Sequence, residues 1–336
     1  MAKRYTGQPR MSYVLTVESF DSLASCWANP GNRLKWSSIF VLPTWLKVWW
    51  QVFGSGAELY LRALRQSDEI IGFAPLIINK ETAHFIGSEN VCDYLDFVIA
   101  PGMESDFFDV LLYDLKAKGI KHLDLRPLRP DSTVLTDLVG TAQNRGYEVL
   151  CQPEDVSLEV DLASTWEGYL ATLDKKQRHE VRRKLRRLWE TGNVEHYCVE
   201  VVEGVEYYME TFLKLFPLSR DEKAHFMTAE MESFFRSLAK AMAEVGLLRF
   251  GVIELDAQPA AMTMGFDYDD SHYLYNSAYD PQFNYLSVGL LCKVLCLKES
   301  IEKGKKKWDF LKGDETYKYQ LGGREVPLYS CRITIR

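Results

Sequence analysis

The chain lacks the short motifs that announce most nucleotide and hydrolase chemistry. It has no GxGxxG after a strand, no GxxxxGK followed by Ser or Thr, no HExxH and no GxSxG, which sets aside dinucleotide, P-loop, zinc-protease and serine-hydrolase readings. No run of about 18 apolar, uncharged residues occurs, so no membrane span is expected. The opening MAKRYTGQPRM has no apolar segment behind it, so no leader is expected and the chain reads as cytoplasmic. The seven cysteines (26, 92, 151, 198, 292, 296 and 331) include no CxxC pair, the scatter of reduced thiols in a cytosol. Cys292 and Cys296 would share a helix face, but with no His or second pair beside them in the chain they read as small buried hydrophobes, and no metal is expected. Excess positive charge is also missing. A formal charge of −7 excludes wholesale wrapping by nucleic acid or an anionic membrane, so any basic site is local.

What is present is an ordinary globular composition, 47% hydrophobic and 13% aromatic, over 336 residues, more than one core usually organises. Alternation predicts a strand over 12–18, a helix over 42–54, a hairpin over 58–64 and 69–78, and a strand over 93–100. A helix over 107–119 ends at Gly119 and a strand follows over 121–128. A further helix is expected over 133–146 and a strand near 147–150. The polar stretch CQPEDVS (151–157) reads as a domain boundary, giving a flexible tail over 1–12, a first lobe over 13–150 and a second over 157–336. In the second lobe, Ser164 and Glu167 form a capping-box signature opening a helix that reaches Leu188. Helices follow near 205–216 and 228–245, then a hairpin over 247–256 and 258–268, a strand over 272–280, a helix over 286–304 and a strand over 306–313.

Hairpin, strand, helix, strand therefore occurs twice. KGIKHLDL (118–125) lies over KGKKKWDF (303–310) at an offset of about 185, and the hairpins align at nearly the same offset, which points to an internal duplication.

Three stretches carry candidate chemistry. KKQRHEVRRKLRRL (175–188) packs eight Lys or Arg into fourteen positions. It is either the solvated face of an amphipathic helix or a cradle for phosphates, with Arg178, Arg182 and Arg183 the candidates. The strand-to-helix junction YNSAYDPQFNYLSVGLL (275–291) places Ser287, Val288, Gly289 and Leu290 where helix amides suit a pyrophosphate, although plain helix capping accounts for the same residues. The equivalent first-lobe junction carries Glu104 and Asp106, which would repel such a ligand. WDFLKGDETYKYQLGG (308–323) delivers Asp314, Glu315, Tyr317, Lys318 and Tyr319 into an expected loop, where either working residues or a hydrogen-bonded turn would be found.

At these residues the sequence resembles the GNAT acyltransferase superfamily, specifically its tandem-lobed CelD/BcsL-like members, which are related to the Fem peptidyltransferases. The resemblance rests on the junction over 275–291, on Trp166–Leu170 with the basic helix, and on DFLKGDETYKY (309–319). It implies an α/β fold of two tandem lobes, each a mixed, largely antiparallel sheet flanked by helices. It also implies an acetyl-CoA or other acyl-CoA donor, with pantetheine against Asn276, Ser277 and Ala278 and pyrophosphate on the amides of Ser287–Leu290. The glycine-rich signature of many GNAT enzymes is reduced here to Gly289, and the long helical hairpin of many Fem enzymes is missing.

Direct attack of an amine on a thioester needs a proton acceptor and a donor for the thiolate. Asp314 or Glu315 is expected as base or acceptor anchor, Tyr317 or Tyr319 as acid, a backbone amide near Ser277 as oxyanion donor, and Lys318 with the three arginines as binding groups. The expected activity is N-acylation of an amine-bearing sugar or envelope precursor, with an exopolysaccharide or envelope role implied by the resemblance. Two readings compete with it: Fem-like transfer from aminoacyl-tRNA, and a non-catalytic GNAT-like binding module.

Overall fold

The computed structural model describes residues 13–88, 90–200 and 202–335. The tail expected over 1–12 lies outside them. The first half opens with strand β1 (Tyr13–Val17) and helix α1 (Phe20–Trp27), whose start is set by reciprocal hydrogen bonds between Ser19 and Ser22. Helix α2 (Pro43–Phe53) begins on a proline, where no amide is needed, and buries Trp45, Leu46 and Trp49. Then come β2 (Glu58–Gln66), β3 (Glu69–Asn79), β4 (Thr82–Phe85), β5 (Val98–Ile99), α3 (Glu104–Ala117) and β6 (His122–Leu128). A π-helical turn over Val134–Leu138 runs into α4 (Val139–Asn144), followed by β7 (Glu148–Asp161).

The second half contains α5 (Trp166–Thr172), α6 (Lys175–Trp189), β8 (Val194–Val199), α7 (Val205–Ser219), α8 (Asp221–Phe226) and α9 (Ala229–Glu244). It continues with β9 (Leu248–Leu255), β10 (Gln258–Tyr268), β11 (Ser271–Tyr279), a 3-10 turn over Pro281–Leu286, α10 (Val288–Glu302), β12 (Lys307–Lys312), α11 (Thr316–Gln320) and β13 (Arg324–Thr334).

The chain divides into two compact units. One comprises the residues up to Asp155 together with Pro327–Arg336, the other Val156–Val326. In the first unit the strands run β1-β2-β3-β4-β6-β13, in the second β8-β9-β10-β11-β12-β7. Each order holds one parallel pair, β4 with β6 and β11 with β12, and the other pairs with a described register are antiparallel. In each unit a helix, α3 or α10, makes the crossover that a parallel pair requires. Gly119 ends α3 and Gly304 ends α10, both at positive φ (77° and 78°), and the two stand 185 residues apart in the chain. The same offset separates the first residues of β6 and β12.

Four expectations require correction. Strand β7 runs on through the expected boundary at 151–157 and stays extended at Pro153, whose fixed φ suits a strand position that needs no amide. The division falls inside that strand, and the last strand packs on the first unit, with Tyr329 opposite Leu128. So the last strand of each half completes the sheet of the other: β7 lies against β12, with Asp161 opposite Lys307. The helix expected from Ser164 to Leu188 is two helices, because Leu173 is extended (ψ 150°) and Asp174 starts afresh by accepting the Gln177 amide at 2.8 Å. The cap of α5 is Thr165, which accepts the Gly168 amide at 3.1 Å. Finally, of the strand expected over 93–100 only Val98–Ile99 pairs, with β3, and the third strand of the first repeat is the short β4.

In the second unit Leu158, Tyr169, Leu170, Val181, Leu188, Ile253, Trp308 and Phe310 form one buried cluster with the inner face of α10. Helix α10 lies so close to β9 that a Cβ on Gly251 would come 2.0 Å from the Cys296 sulfur and 2.6 Å from the Thr263 hydroxyl. Gly251→Ala should therefore destabilise the protein by about 1–3 kcal/mol through overpacking. A lowered urea midpoint at unchanged m-value would show it.

Candidate active site

The site is built where β11 and β12 part. They pair in parallel over three positions, Ser271 with Lys307, His272 with Trp308 and Tyr273 with Asp309. Beyond these, β12 bulges at Leu311 (φ 62°), a kink capped by the buried Asp309 carboxylate, which accepts the Leu311 amide at 2.8 Å. Strand β11 continues to Tyr279 along β10, so over Leu274–Tyr279 it has one neighbouring strand among the described residues. It carries a bulge as well: Met264 faces Asn276 and Gly265 faces Leu274, leaving Tyr275 as the extra residue. Such a bulge re-aims the backbone that follows it, here at Asn276 and Ser277.

The junction into α10 flanks this opening. Ser287 sits in the left-handed region (φ 59°), its amide donates to the Asn284 carbonyl at 2.9 Å, and the Leu290 and Leu291 amides return to the Ser287 carbonyl at 3.0 Å. The amides of Val288 and Gly289 have no acceptor among the described residues. Gly289 packs on Tyr279, where a Cβ would come 2.8 Å from the ring. Of the strand residues, Ala278 is buried while Asn276 and Ser277 are half-buried.

On the opposite side the expected loop 314–319 folds into the short helix α11. Lys318 is buried and draws β12 and α11 together, donating to the carbonyls of Leu311 (3.0 Å), Lys312 (2.6 Å) and Gly313 (3.1 Å). It also pairs with Glu315 at 2.8 Å. Burial works against the Glu315 charge, yet the Lys318 ammonium more than offsets this and holds the carboxyl below its usual range. Gly313 is needed beneath it, at φ 106°, because a Cβ would lie 2.7 Å from the Glu315 carboxylate. Burial pushes the Tyr317 phenol up, and its ring stacks edge-on against Phe310. Asp314 and Tyr319 are exposed, and Tyr319 donates to Glu325 at 2.5 Å.

Three cations that sequence reasoning passed over converge on this opening. The Lys223 ammonium, on α8, donates to the Ser277 carbonyl and lies 4.6 Å over the Phe216 ring. Lys293, one turn into α10 and 7% exposed, donates to the Gly289 carbonyl at 2.8 Å and sits 4.9 Å over the Tyr317 ring. Arg220 precedes α8 and is exposed. None of the three forms an ion pair among the described residues. Burial, together with the charges of Lys293 and Arg220, lowers Lys223 to about 7. Burial lowers Lys293 to about 8. In the sequence these are two isolated lysines and an arginine, and only the fold brings them to one place.

The basic helix α6 is partly self-neutralised. Arg182 pairs with Glu167, and Arg183 with Glu180 at 2.6 Å. Arg178 has no ion pair among the described residues. Arg187, outside the predicted set, stacks 5.9 Å from the ring of Tyr285 on the turn before α10.

The model of the acetyltransferase (GNAT) domain family matches residues 175–319, from the first residue of α6 into α11. No curated protein matches the chain. Among solved structures, FemX resembles it with a TM-score of 0.62 at 13% identity, over 94% of this chain and 96% of that one. A conserved protein of unknown function from Bacteroides thetaiotaomicron gives 0.59 at 9%, over 95% and 99%. The C-terminal domain of a putative lysylphosphatidylglycerol synthetase from Agrobacterium fabrum gives 0.56 at 10%, over 86% and 90%. The chain has a two-lobed, tandem GNAT-like fold of the acyltransferase type, related to that of the Fem proteins. Within it, the second unit carries the region matched as a GNAT acetyltransferase domain.

Because the charge on Lys293 helps hold Lys223 low, Lys293→Met should raise the Lys223 pKa. The check is the pH dependence of reductive methylation at Lys223, followed by NMR of the labelled methyls, and the titration should move to higher pH in the variant.

Proposed function

We propose that the second unit transfers an acyl group from an acyl-CoA to an amine, with an amine-bearing sugar or envelope precursor as acceptor. The observation that carries this reading is the one-sided edge of β11 over Leu274–Tyr279. An extended donor arm bearing amides, as pantetheine does, can add to such an edge as an extra strand would. The amides of Val288 and Gly289 then face the pyrophosphate at the start of α10, where the helix dipole favours negative charge.

Lys223 is the group suited to move the proton. At about 7 it is substantially neutral at physiological pH, and it lies on the edge where the thioester would rest. The amine nitrogen attacks the thioester carbon, the C–N bond forms and the C–S bond breaks. The proton shed by nitrogen goes to Lys223 and one returns to the departing thiolate, so no net proton is consumed. Glu315 serves this role less well, since Lys318 keeps it ionised and engaged. In this reading Tyr317, whose ring lies under the Lys293 ammonium, donates a hydrogen bond to the thiolate.

Transfer from an aminoacyl-tRNA is the second reading. It is favoured by Lys175, Lys176 and Arg178, cations of α6 that form no ion pair among the described residues.

Saturating acyl-CoA at about a hundred times its dissociation constant should stabilise the protein by roughly 2.7 kcal/mol, and bulk tRNA should have no such effect. Thermal unfolding with acetyl-CoA, longer acyl-CoAs, free CoA and tRNA checks this. A shift with tRNA alone selects the second reading, and silence to every ligand selects a non-catalytic module. In a thiol-release assay with amino-sugar acceptors, kcat/KM should rise with pH through about 7 as Lys223 loses its proton. Lys223→Met should flatten that rise and lower the rate by roughly 10²–10⁴-fold.

A further inference from the structure

Helix α10 also turns a cysteine-bearing face toward β8. His196 and Cys198 are two residues apart on that strand and so point to the same side. Cys292 and Cys296 are one turn apart on the helix. The Nε2 of His196 lies 3.8 Å from the Cys296 sulfur, and the donor atoms of His196, Cys198 and Cys296 all lie within 4.8 Å of one another. A tetrahedral zinc ion at about 2.0 Å from nitrogen and 2.3 Å from sulfur holds its donors roughly 3.5–3.8 Å apart. The three atoms therefore already stand close to the corners that such an ion occupies.

Polar groups stand beside both sulfurs. The Thr263 hydroxyl is 3.3 Å from the Cys296 sulfur, and the Arg249 guanidinium donates to Cys198 at 3.5 Å. The charge of Arg249 is in turn met by Glu299 at 3.1 Å, Glu200 at 3.4 Å and Asp267 at 3.5 Å, so the region does not repel a cation. Cys296 is buried while His196 and Cys198 are half-buried, which leaves a way in from solvent. We propose that His196, Cys198 and Cys296 bind a zinc ion, with the Cys292 thiol or a water as fourth donor, pinning α10 to β8. The sequence pointed away from metal because no His stands beside Cys292 and Cys296. The fold supplies one from 100 residues upstream of Cys296.

Binding displaces the thiol protons, so affinity rises with pH. The test uses the full chain without a histidine tag, kept reduced and purified without chelator, with metal content measured by inductively coupled plasma mass spectrometry. One equivalent of zinc is expected, replaceable by Co²⁺ with a thiolate-to-cobalt charge-transfer band and tetrahedral d–d absorption. Cys198→Ser, Cys296→Ser and His196→Ala should each lose the ion, while Cys26→Ser keeps it. Near-UV circular dichroism confirms that each variant is folded. Folded, reduced wild-type protein that holds no zinc and gives no cobalt–thiolate band would overturn the proposal. So would zinc retained unchanged in both serine variants, which would place it elsewhere on the chain.

Discussion

The second unit depends on how far two parallel strands stay together. β11 and β12 share three residue pairs and then separate, because Leu311 kinks β12 while the bulge at Tyr275 turns β11 along β10. Separation leaves backbone with a partner on one side only, and a buried unpaired backbone group is costly. The neighbouring elements answer that cost: the Lys223 ammonium covers the Ser277 carbonyl, and Lys318 gathers three carbonyls of the diverging β12 end. The opening is thus held in shape by side chains whose heads are cations.

Those cations differ in how they are compensated. Lys318 has Glu315 and a cage of carbonyls, whereas Lys223 and Lys293 each have a carbonyl and an aromatic face and no carboxylate ion pair among the described residues. Charges placed so are uncommon in structural roles, because a buried ammonium without a counter-ion tends to shed its proton. The depressed pKa values of Lys223 and Lys293 follow from burial first and from neighbouring positive charge second, and perturbed groups of this kind in a cleft are candidates for a functional site. In a chain of net charge −7, their clustering is a property of the site and not of the whole surface.

Much of the fold was legible because its signals are local. The hairpins, α2, α3, α9 and α10 follow from periodicity with glycine stops, and the duplication follows from matched order at one offset. The elements that escaped reading lack such signals. β8 is short, α8 is a six-residue turn, and α11 forms because Lys318 reaches back to three carbonyls. The junction 275–291 and DFLKGDETYKY, both singled out in the sequence, contribute Ser277, Gly289 and Lys318 to the contacts beside the opening between β11 and β12. Arg182 and Arg183 read as phosphate ligands because their carboxylate partners, Glu167 and Glu180, are revealed only once α5 and α6 are folded.

By itself the sequence determined the two-lobed α/β architecture, the repeat and the region where a strand opens into a helix, since each is encoded by spacing within some tens of residues. Tertiary structure alone decided which half owns which last strand, where β12 departs from β11, and that Lys223 and Lys293 meet at Ser277 and Gly289. It alone brought His196 and Cys198 to Cys296. These depend on contacts between residues far apart in the chain, and an isolated lysine, histidine or cysteine carries no local mark of what will stand beside it.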